Sequence, residues 1–373
     1  MIWLLTAALA QSSELTVHTW NVGLAYGFVD HAKDRRGLIV DTLTVSDADV
    51  LCLQEVWEPR DRRRLSRALE DIYPHQVLLP VTQTRTDHAP ACRGSDLFGE
   101  DRFVTCLTQQ CGEFRGDDKT DCVIEQCGPV METLRDNNPE CAQALMAQVG
   151  KSGLTALMAV RSPFRKPGTF AYNGSDGVAL LSRLPIREQG VVDFSDIATL
   201  NRRRVPWADI AVGGDTVRVY CAHLTADLDG IAPYPGNSGS WGAENHEQAE
   251  RLVAHAEDSA HPVVLAGDFN CGWDDDATGI VGELTDSCQV YDAAGYKSVG
   301  LHQPECTFCA DNPIVADDES EHLNGRIDHV FIRSLRSTRY QRLYDDTLTL
   351  RDGTVTALSD HYGLEAVLVL DGE

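Results

Sequence analysis

Val263-Val264-Leu265-Ala266-Gly267-Asp268-Phe269-Asn270 is an apolar run that ends abruptly in a carboxylate and a carboxamide two residues apart. Val263 to Ala266 is too short for a helix and apolar at every position, the pattern of a strand covered on both faces. Gly267 lets the backbone leave the sheet, so Asp268 and Asn270 project together at the strand's C-terminal end, the usual place for ligand sites in α/β architectures. Taken alone, Gly-Asp-Phe-Asn reads equally well as an Asx turn closing a strand. The chain around it decides between the two.

The same arrangement recurs outward in both directions. Upstream, a helix is expected from Glu244 to about Glu257, after a Gly/Pro-rich loop from Asp227 to Gly242. Before that loop, Val205–Val212 and Asp215–Ala222 read as a hairpin around Gly213-Gly214, and its second strand delivers His223. Leu15 to Asn21 alternates and stops at an amide. Helical spacing over Arg35–Val45 leads to the strand Val50–Gln54, which delivers Glu55. A basic-faced helix over Arg60–Asp71 and a strand over Gln76–Leu79 follow. The pattern resumes at Asp176–Ile186, a strand closed by Pro185. Downstream, Arg326–Ile332 places Asp328 in a strand, and Ser359-Asp360-His361 precedes the last apolar strand, Leu364–Leu370.

With 373 residues, 43% hydrophobic and 24% charged, the chain is that of a soluble globular protein with a large core. Its formal net charge of -25 gives an acidic surface that repels nucleic-acid phosphates unless cations or a local basic patch intervene, which argues against tight, non-specific DNA binding. Residues 1–10 are apolar and end in Ala8-Leu9-Ala10, a small-x-small site, so they read as a secretory signal preceding a domain over 14–373. The segment is short and lacks a basic start, which an upstream start site would explain. No other apolar run approaches the roughly 18 residues that span a bilayer. The expected location is therefore secreted or periplasmic.

The chain has 12 cysteines, an even number that fits secretion. Cys92, Cys106, Cys111, Cys122, Cys127 and Cys141 crowd a polar insertion at about 88–150 that has little regular periodicity before Val130, and they read as disulfide staples. Zinc is the alternative, although these spacings lack a Cys-x-x-Cys pair, and Cys306-Thr-Phe-Cys309 stands by itself. Cys52 and Cys221, within apolar strands, read as buried thiols. Asp274-Asp275-Asp276 lacks EF-hand spacing and reads as a helix cap before Thr278.

Singly, each strand-end residue is a weak signal, because a lone histidine is more often a satisfied core group. Together, Asn21, Glu55, His223, Asp268, Asn270, Asp328, Asp360 and His361 form a set of carboxylates, amides and imidazoles with no serine elbow or phosphate-cradling glycine loop. Oxygen donors select a hard cation such as Mg²⁺, with Mn²⁺ or Ca²⁺ as alternatives.

These residues resemble the endonuclease/exonuclease/phosphatase superfamily, which includes deoxyribonuclease I and neutral sphingomyelinases. The resemblance rests on Trp20-Asn21, Leu53-Gln54-Glu55, Gly177–Ile186, Ala222-His223-Leu224, Gly267–Asn270, Arg326-Ile327-Asp328-His329 and Ser359-Asp360-His361, in the family's order. His329 stands where the family often has an aromatic residue. The resemblance implies an α/β fold, a four-layer sandwich of two mixed sheets packed face to face with flanking helices, to which the cysteine-rich insertion is added. It implies Glu55, Asn21 and Asp360 as metal ligands, and His223, Asp268, Asn270, Asp328 and His361 as catalytic groups, Asp328 orienting a histidine.

Three functions of different class follow. The first is a secreted Mg²⁺-dependent phosphodiesterase, sphingomyelinase-like and cleaving on the phospholipase C side, monomeric and in peripheral contact with membrane. The stretch Cys306-Thr-Phe-Cys-Ala-Asp-Asn-Pro313 is similar to a region of some neutral sphingomyelinases, and Tyr234 and Trp241 are candidates for a rim that accepts a choline cation. Asn245 and Gln248 stand where sphingomyelinases often place Arg and Gln. The second is a deoxyribonuclease I-like endonuclease, with Arg202-Arg203-Arg204 and Arg60 to Arg67 contacting phosphates, or lying on a solvated face. An inactive binding module is the third, and a phosphomonoesterase is a further alternative.

Overall fold

Strands that are apolar at every position need cover on both faces, and here two sheets cover one another. The computed structural model describes residues 14–114, 117–148, 151–229, 234–315 and 324–370. The first half runs β1 (Glu14–Asn21), α1 (Ala32–Leu43), β2 (Val50–Gln54), α2 (Pro59–Leu69), β3 (His75–Val77), α3 (Gly94–Leu97), α4 (Phe103–Gln109), α5 (Asp117–Asn137), α6 (Pro139–Met146), α7 (Gly153–Arg161), β4 (Ala179–Ser182) and β5 (Ile186–Asp193). The second half runs β6 (Arg204–Val212), β7 (Asp215–His223), α8 (Trp241–Glu257), β8 (Val263–Asp268), α9 (Thr285–Ala293), β9 (Lys297–Ser298), β10 (Asp328–Arg333), β11 (Leu335–Leu343), β12 (Thr347–Thr349), β13 (Val355–Ala357) and β14 (Gly363–Leu370).

One six-stranded sheet has the order β11-β14-β1-β2-β4-β3 and the other β5-β6-β7-β8-β10-β9. Each has a parallel pair at its centre, β1 with β2 and β7 with β8. Val17, Cys52 and Leu180 of the first sheet and Ile210, Val219, Val264 and Ala266 of the second belong to the core between the sheets. The opposite faces carry helices: Trp20, Leu51 and Leu53 pack with Ile39 and Leu43 of α1 and Leu65 and Leu69 of α2. Tyr220, Leu265 and Phe331 pack with Leu252 and Ala256 of α8 and Tyr291 of α9. Each such Leu or Ile contributes roughly 1.5–3 kcal/mol by leaving water, which holds all four layers together.

Strand polarity is what positions the site. The two parallel pairs end at one edge of the sandwich, and β4, β10 and β14, antiparallel to them, begin there. Chain ends and chain starts therefore meet at a single rim.

The cysteine readings divide. Cys92–Cys141, Cys106–Cys127 and Cys111–Cys122 staple the insertion as expected. Cys52 and Cys221 are not thiols: they form a disulfide between β2 and β7, with Cα atoms 5.3 Å apart across the inter-sheet core. An apolar strand pattern shows that each is buried, but only sheet-on-sheet packing sets them opposite. Cys271–Cys288 and Cys306–Cys309 complete the set, and no cysteine is left free for zinc.

The insertion is helical from α3 onward, including the stretch before Val130 whose sequence shows little periodicity, and it runs on through α7, past the expected end at about 150. Its small core is built on cystines with Leu97, Phe103, Leu134 and Val160, so a short apolar contribution per helix suffices and the stripe is faint. Its two ends are pinned together by Thr86 N–H donating to Pro167 O and Thr169 N–H donating to Thr84 O. Thr278 starts no helix. Asp275 Oδ1 accepts the Ala277 N–H and Asp274 Oδ1 the Gly282 N–H, so the acidic triplet closes turns. Residues 1–10, read as a signal, lie outside the described residues. Among the described residues no helix is long and apolar enough to cross a membrane.

Candidate active site

Gly267 has φ +152, and a Cβ on it would meet Ala222 O of the parallel strand β7 at 2.1 Å. Only glycine allows β8 to run this close to β7, and the register sets His223 and Asp328 on either side of Asp268. The Asx turn and the site are one device. Asp268 Oδ1 accepts the Asn270 N–H at 2.9 Å, and Oδ2 accepts Asn21 Nδ2 at 2.9 Å. Asn270 is held in the left-handed region at φ 50, with its Nδ2 donating to Leu224 O.

Glu55 follows β2 at φ 61, a strained conformation for a non-glycine residue that marks functional positions. Its side chain is 17% exposed and its Oε1 lies 4.0 Å from His223 Nε2, which in turn is 3.5 Å from Asp268 Oδ2. Burial, with Asp360 and Asp268 nearby, pushes the Glu55 carboxyl up to about 8. Burial and Asp328 push Asp268 up to about 7, against the opposing pull of His361. Asp360 is anchored through Oδ1, 2.9 Å from Ser359 Oγ, and that hydroxyl donates to Asn21 O.

The two histidines are driven apart. Burial opposes charge on His361, yet its Nδ1 lies 2.8 Å from Asp328 Oδ2, and this carboxylate, with Asp268 and Asp360 behind it, holds the imidazole well above its ordinary range. Burial, then the positive charges of Arg203 and His361, hold His223 well below its ordinary range. These opposite shifts favour charge on His361 and disfavour it on His223, whose buried Nδ1 has no hydrogen-bond partner. Two titratable groups of one type with separated protonation states are how a site divides acid from base work.

The residues present fit a divalent cation. Glu55 Oε2 is buried without a partner, and the carboxyls of Asp360 and Asp268 repel that of Glu55, a repulsion a cation would relieve. One ligand-type atom each from Asp268, Asp328 and His361 also lies within 4.8 Å of the others. That group already answers its own charge through the Asp328–His361 pair and the Asn21 amide, so Glu55 is the better seat.

Three residues here were not singled out from sequence. Arg35 is fully buried and donates only to carbonyls, those of Asp30, Val22, Gly23 and Leu358, tying the Asn21 loop to the Asp360 loop. Asn312 Nδ2 holds Ser359 O and Asp360 O from the far side. Trp57 stacks on Tyr172 at 5.0 Å and its ring lies 5.6 Å from His223.

Several expected contacts are elsewhere. Arg202, Arg203 and Arg204 are neither a phosphate-contacting patch nor a solvated face. Arg203 is buried with its guanidinium over Trp57 and donates to His223 O, while Arg204 and Arg202 pair with Asp176 and Asp193. The register of the hairpin, Val212 with Asp215 and Trp207 with Tyr220, extends to put Arg204 opposite His223, a signal the sequence did contain. In α2, Arg62 is buried against Asp176. Tyr234 and Trp241 form no open rim: they are 7% and 1% exposed, packed edge to face, with Tyr234 Oη donating to Glu244. Asn245 and Gln248 are consumed by the Thr225 segment.

A sequence model described as the endonuclease/exonuclease/phosphatase family matches residues 18–361, nearly the whole chain. The chain belongs to this family. It is a metal-dependent phosphoric ester hydrolase, as members of the endonuclease/exonuclease/phosphatase family are. In this member His329 stands among Phe269, Trp273 and Phe331, filling an aromatic cluster with an imidazole. No curated protein matches the chain by sequence. Among solved structures it is similar in fold to sphingomyelinase C from Streptomyces griseocarneus, with 19% identity, a TM-score of 0.54, and 95% of this chain and 99% of that one covered. It is similar to SmcL, with 14% identity, a TM-score of 0.55, and 95% and 98% covered. It is also similar in fold to TDP2 from D. rerio complexed with single-strand DNA product, with 14% identity, a TM-score of 0.52, and 96% and 99% covered.

Proposed function

We propose that this protein is a secreted, Mg²⁺-dependent phosphodiesterase acting on phospholipid head groups, with water as the direct nucleophile. All cysteines are in disulfides and Ser359 is engaged with Asn21 O, which disfavours a covalent intermediate on these side chains. Glu55 holds the cation, with Asn21 and Asp360 completing its protein ligands. When bound, the cation neutralises charge building on the non-bridging phosphate oxygens. Asp268 orients and deprotonates the attacking water, a task suited to a carboxyl near neutrality. Asn21 and the Asn270 N–H fix its two oxygens in place. His361, kept cationic by Asp328, stabilises the pentacovalent transition state and donates toward the leaving oxygen. His223 presents Nε2, the ring nitrogen nearest Glu55 and Asp268, to the phosphate.

The observation that carries the substrate reading is the fate of the arginines at the edge. Arg62, Arg203 and Arg204 are buried in internal pairs and carbonyl contacts, so these three arginines offer no basic track to a polyanion on a chain of charge -25. A single phosphate makes no such demand. The nuclease reading retains one specific support, the exposed Arg63, Arg64 and Arg67 of α2. Hydrolysis of sphingomyelin, phosphatidylcholine, plasmid DNA and RNA, compared side by side with Mg²⁺ and with EDTA, tests both. Efficient nicking of plasmid with both lipids untouched overturns the phospholipid reading.

A further inference from the structure

Residues 151–168, Lys-Ser-Gly-Leu-Thr-Ala-Leu-Met-Ala-Val-Arg-Ser-Pro-Phe-Arg-Lys-Pro-Gly, contain four cations and no acid in a chain of net charge -25. They form α7 and the loop that follows it. Val160 of α7 faces the insertion's core. Leu154, Met158 and Arg161, at i, i+4 and i+7, share the opposite side of the helix. Leu154 is 69% exposed and Met158 59%, and Phe164 in the loop is 94% exposed. The Arg161 guanidinium lies 5.2 Å over the ring of Phe98, itself 41% exposed, so the apolar surface extends beyond α7. Large side chains left in water together on one short segment mark a candidate binding surface. Aliphatic and aromatic groups interleaved with Lys and Arg match a lipid headgroup boundary, which takes apolar side chains into the acyl region and cations beside the phosphates.

The insertion that carries the patch is rooted at the rim of the site. The insertion leaves the first sheet after β3 and returns to it before β4, and both junctions are at the rim where Glu55 and Asp268 gather. Arg135 of α5 donates to Tyr234 O in the loop that follows His223.

We propose that α7 and the Phe164 loop dock the protein on anionic phospholipid bilayers, Leu154, Met158 and Phe164 entering the interface while Arg161, Arg165 and Lys166 pair with lipid phosphates. This rests on the phospholipid reading of the site and supplies its partner: the enzyme works at a membrane surface with its rim toward the lipid.

The test is sedimentation of the full-length protein with phosphatidylcholine vesicles containing roughly a quarter phosphatidylserine, in EDTA so that no hydrolysis occurs. Hydrolysis of detergent-dispersed phospholipid and of a water-soluble phosphodiester is measured separately with Mg²⁺. The wild type is expected to sediment with vesicles. Leu154→Ser with Phe164→Ser is expected to weaken this about tenfold or more, and Arg165→Glu with Lys166→Glu to weaken binding to anionic vesicles only, both variants keeping wild-type rates on the soluble diester. A wild type that stays in the supernatant overturns docking even if dispersed lipid is hydrolysed. So does vesicle binding unchanged in both variants, or a patch that instead pairs two copies of the chain in analytical ultracentrifugation. Docking with no activity on dispersed lipid overturns the substrate reading alone.

Discussion

His361 Nδ1 and Asp328 Oδ2 lie 2.8 Å apart although 33 residues separate them in the chain. The pairing exists because β10 and β14 both begin at the rim where β8 and β1 end. It fixes the imidazole's orientation and charge, leaving only Nε2 free to face a substrate.

Asp328→Asn removes that charge while keeping the shape. The pKa of His361 is expected to fall, and kcat to fall roughly 10²- to 10⁴-fold with little change in KM, because the cation matters most in the transition state. Imidazole titration by NMR alongside steady-state kinetics checks it. An unchanged His361 pKa would show that the pair does not set the protonation state.

Glu55→Gln is expected to cost at least about two decades of rate yet to stabilise the metal-free fold. The folded-state pKa of Glu55 is about 8 against an ordinary 4.5, so between these values the native protein retains a proton that the unfolded chain has lost. That contribution to stability is fully present below about 4.5 and is lost as pH rises through about 8. In EDTA the wild-type Tm should therefore fall from pH 5 to pH 8, and the Glu55→Gln variant should melt higher than wild type at pH 8. Thermal melts across this window, with and without Mg²⁺, decide it.

Cation binding should release protons near neutral pH. Glu55 and Asp268, raised to about 8 and about 7 by burial and neighbouring carboxylates, must ionise when the cation arrives. Calorimetric Mg²⁺ titrations at pH 7 in buffers of different ionisation enthalpy should show release of roughly one proton, and affinity should rise with pH up to about 8. Binding heats independent of buffer would contradict this charge arrangement.

The Cys52–Cys221 bond closes a separation of 169 residues directly behind Glu55 and His223. Chain-entropy arguments put its stabilisation near an upper limit of about 5 kcal/mol. Replacing both cysteines by Ala should lower Tm strongly, with the three bonds of the insertion still intact by mass mapping under non-reducing conditions. A Tm within a degree or so of wild type would mean that apolar packing alone holds the sheets.

Trp241→Ala, which an open rim would have made a substrate-affinity change, is expected instead to destabilise the fold by about 3–5 kcal/mol. Trp241 is 1% exposed and forms the first turn of α8 against Tyr234. Denaturant unfolding separates the two, since a raised KM with unaltered stability would restore the rim.

Much of the fold was written locally. The run Val263 to Asn270, the Gly213-Gly214 hairpin and the repeated strand with a polar residue at its end carry period and turn chemistry that act over a few residues, and such patterns are legible in one dimension. For the same reason the eight strand-end residues could be named together. What only the tertiary structure decided depends on which strand faces which. Sheet packing turned Cys52 and Cys221 from two buried thiols into one bond. Strand polarity brought Asp328 to His361 and so assigned the charged and neutral histidines. Helix docking buried Tyr234 and Trp241, and the internal carboxylates drew in Arg62, Arg203 and Arg204. Residue type and spacing reveal what a side chain can do. Its protonation state, its partner and its exposure are set by groups distant in sequence, through burial and Coulomb terms that have no value until the sheets close.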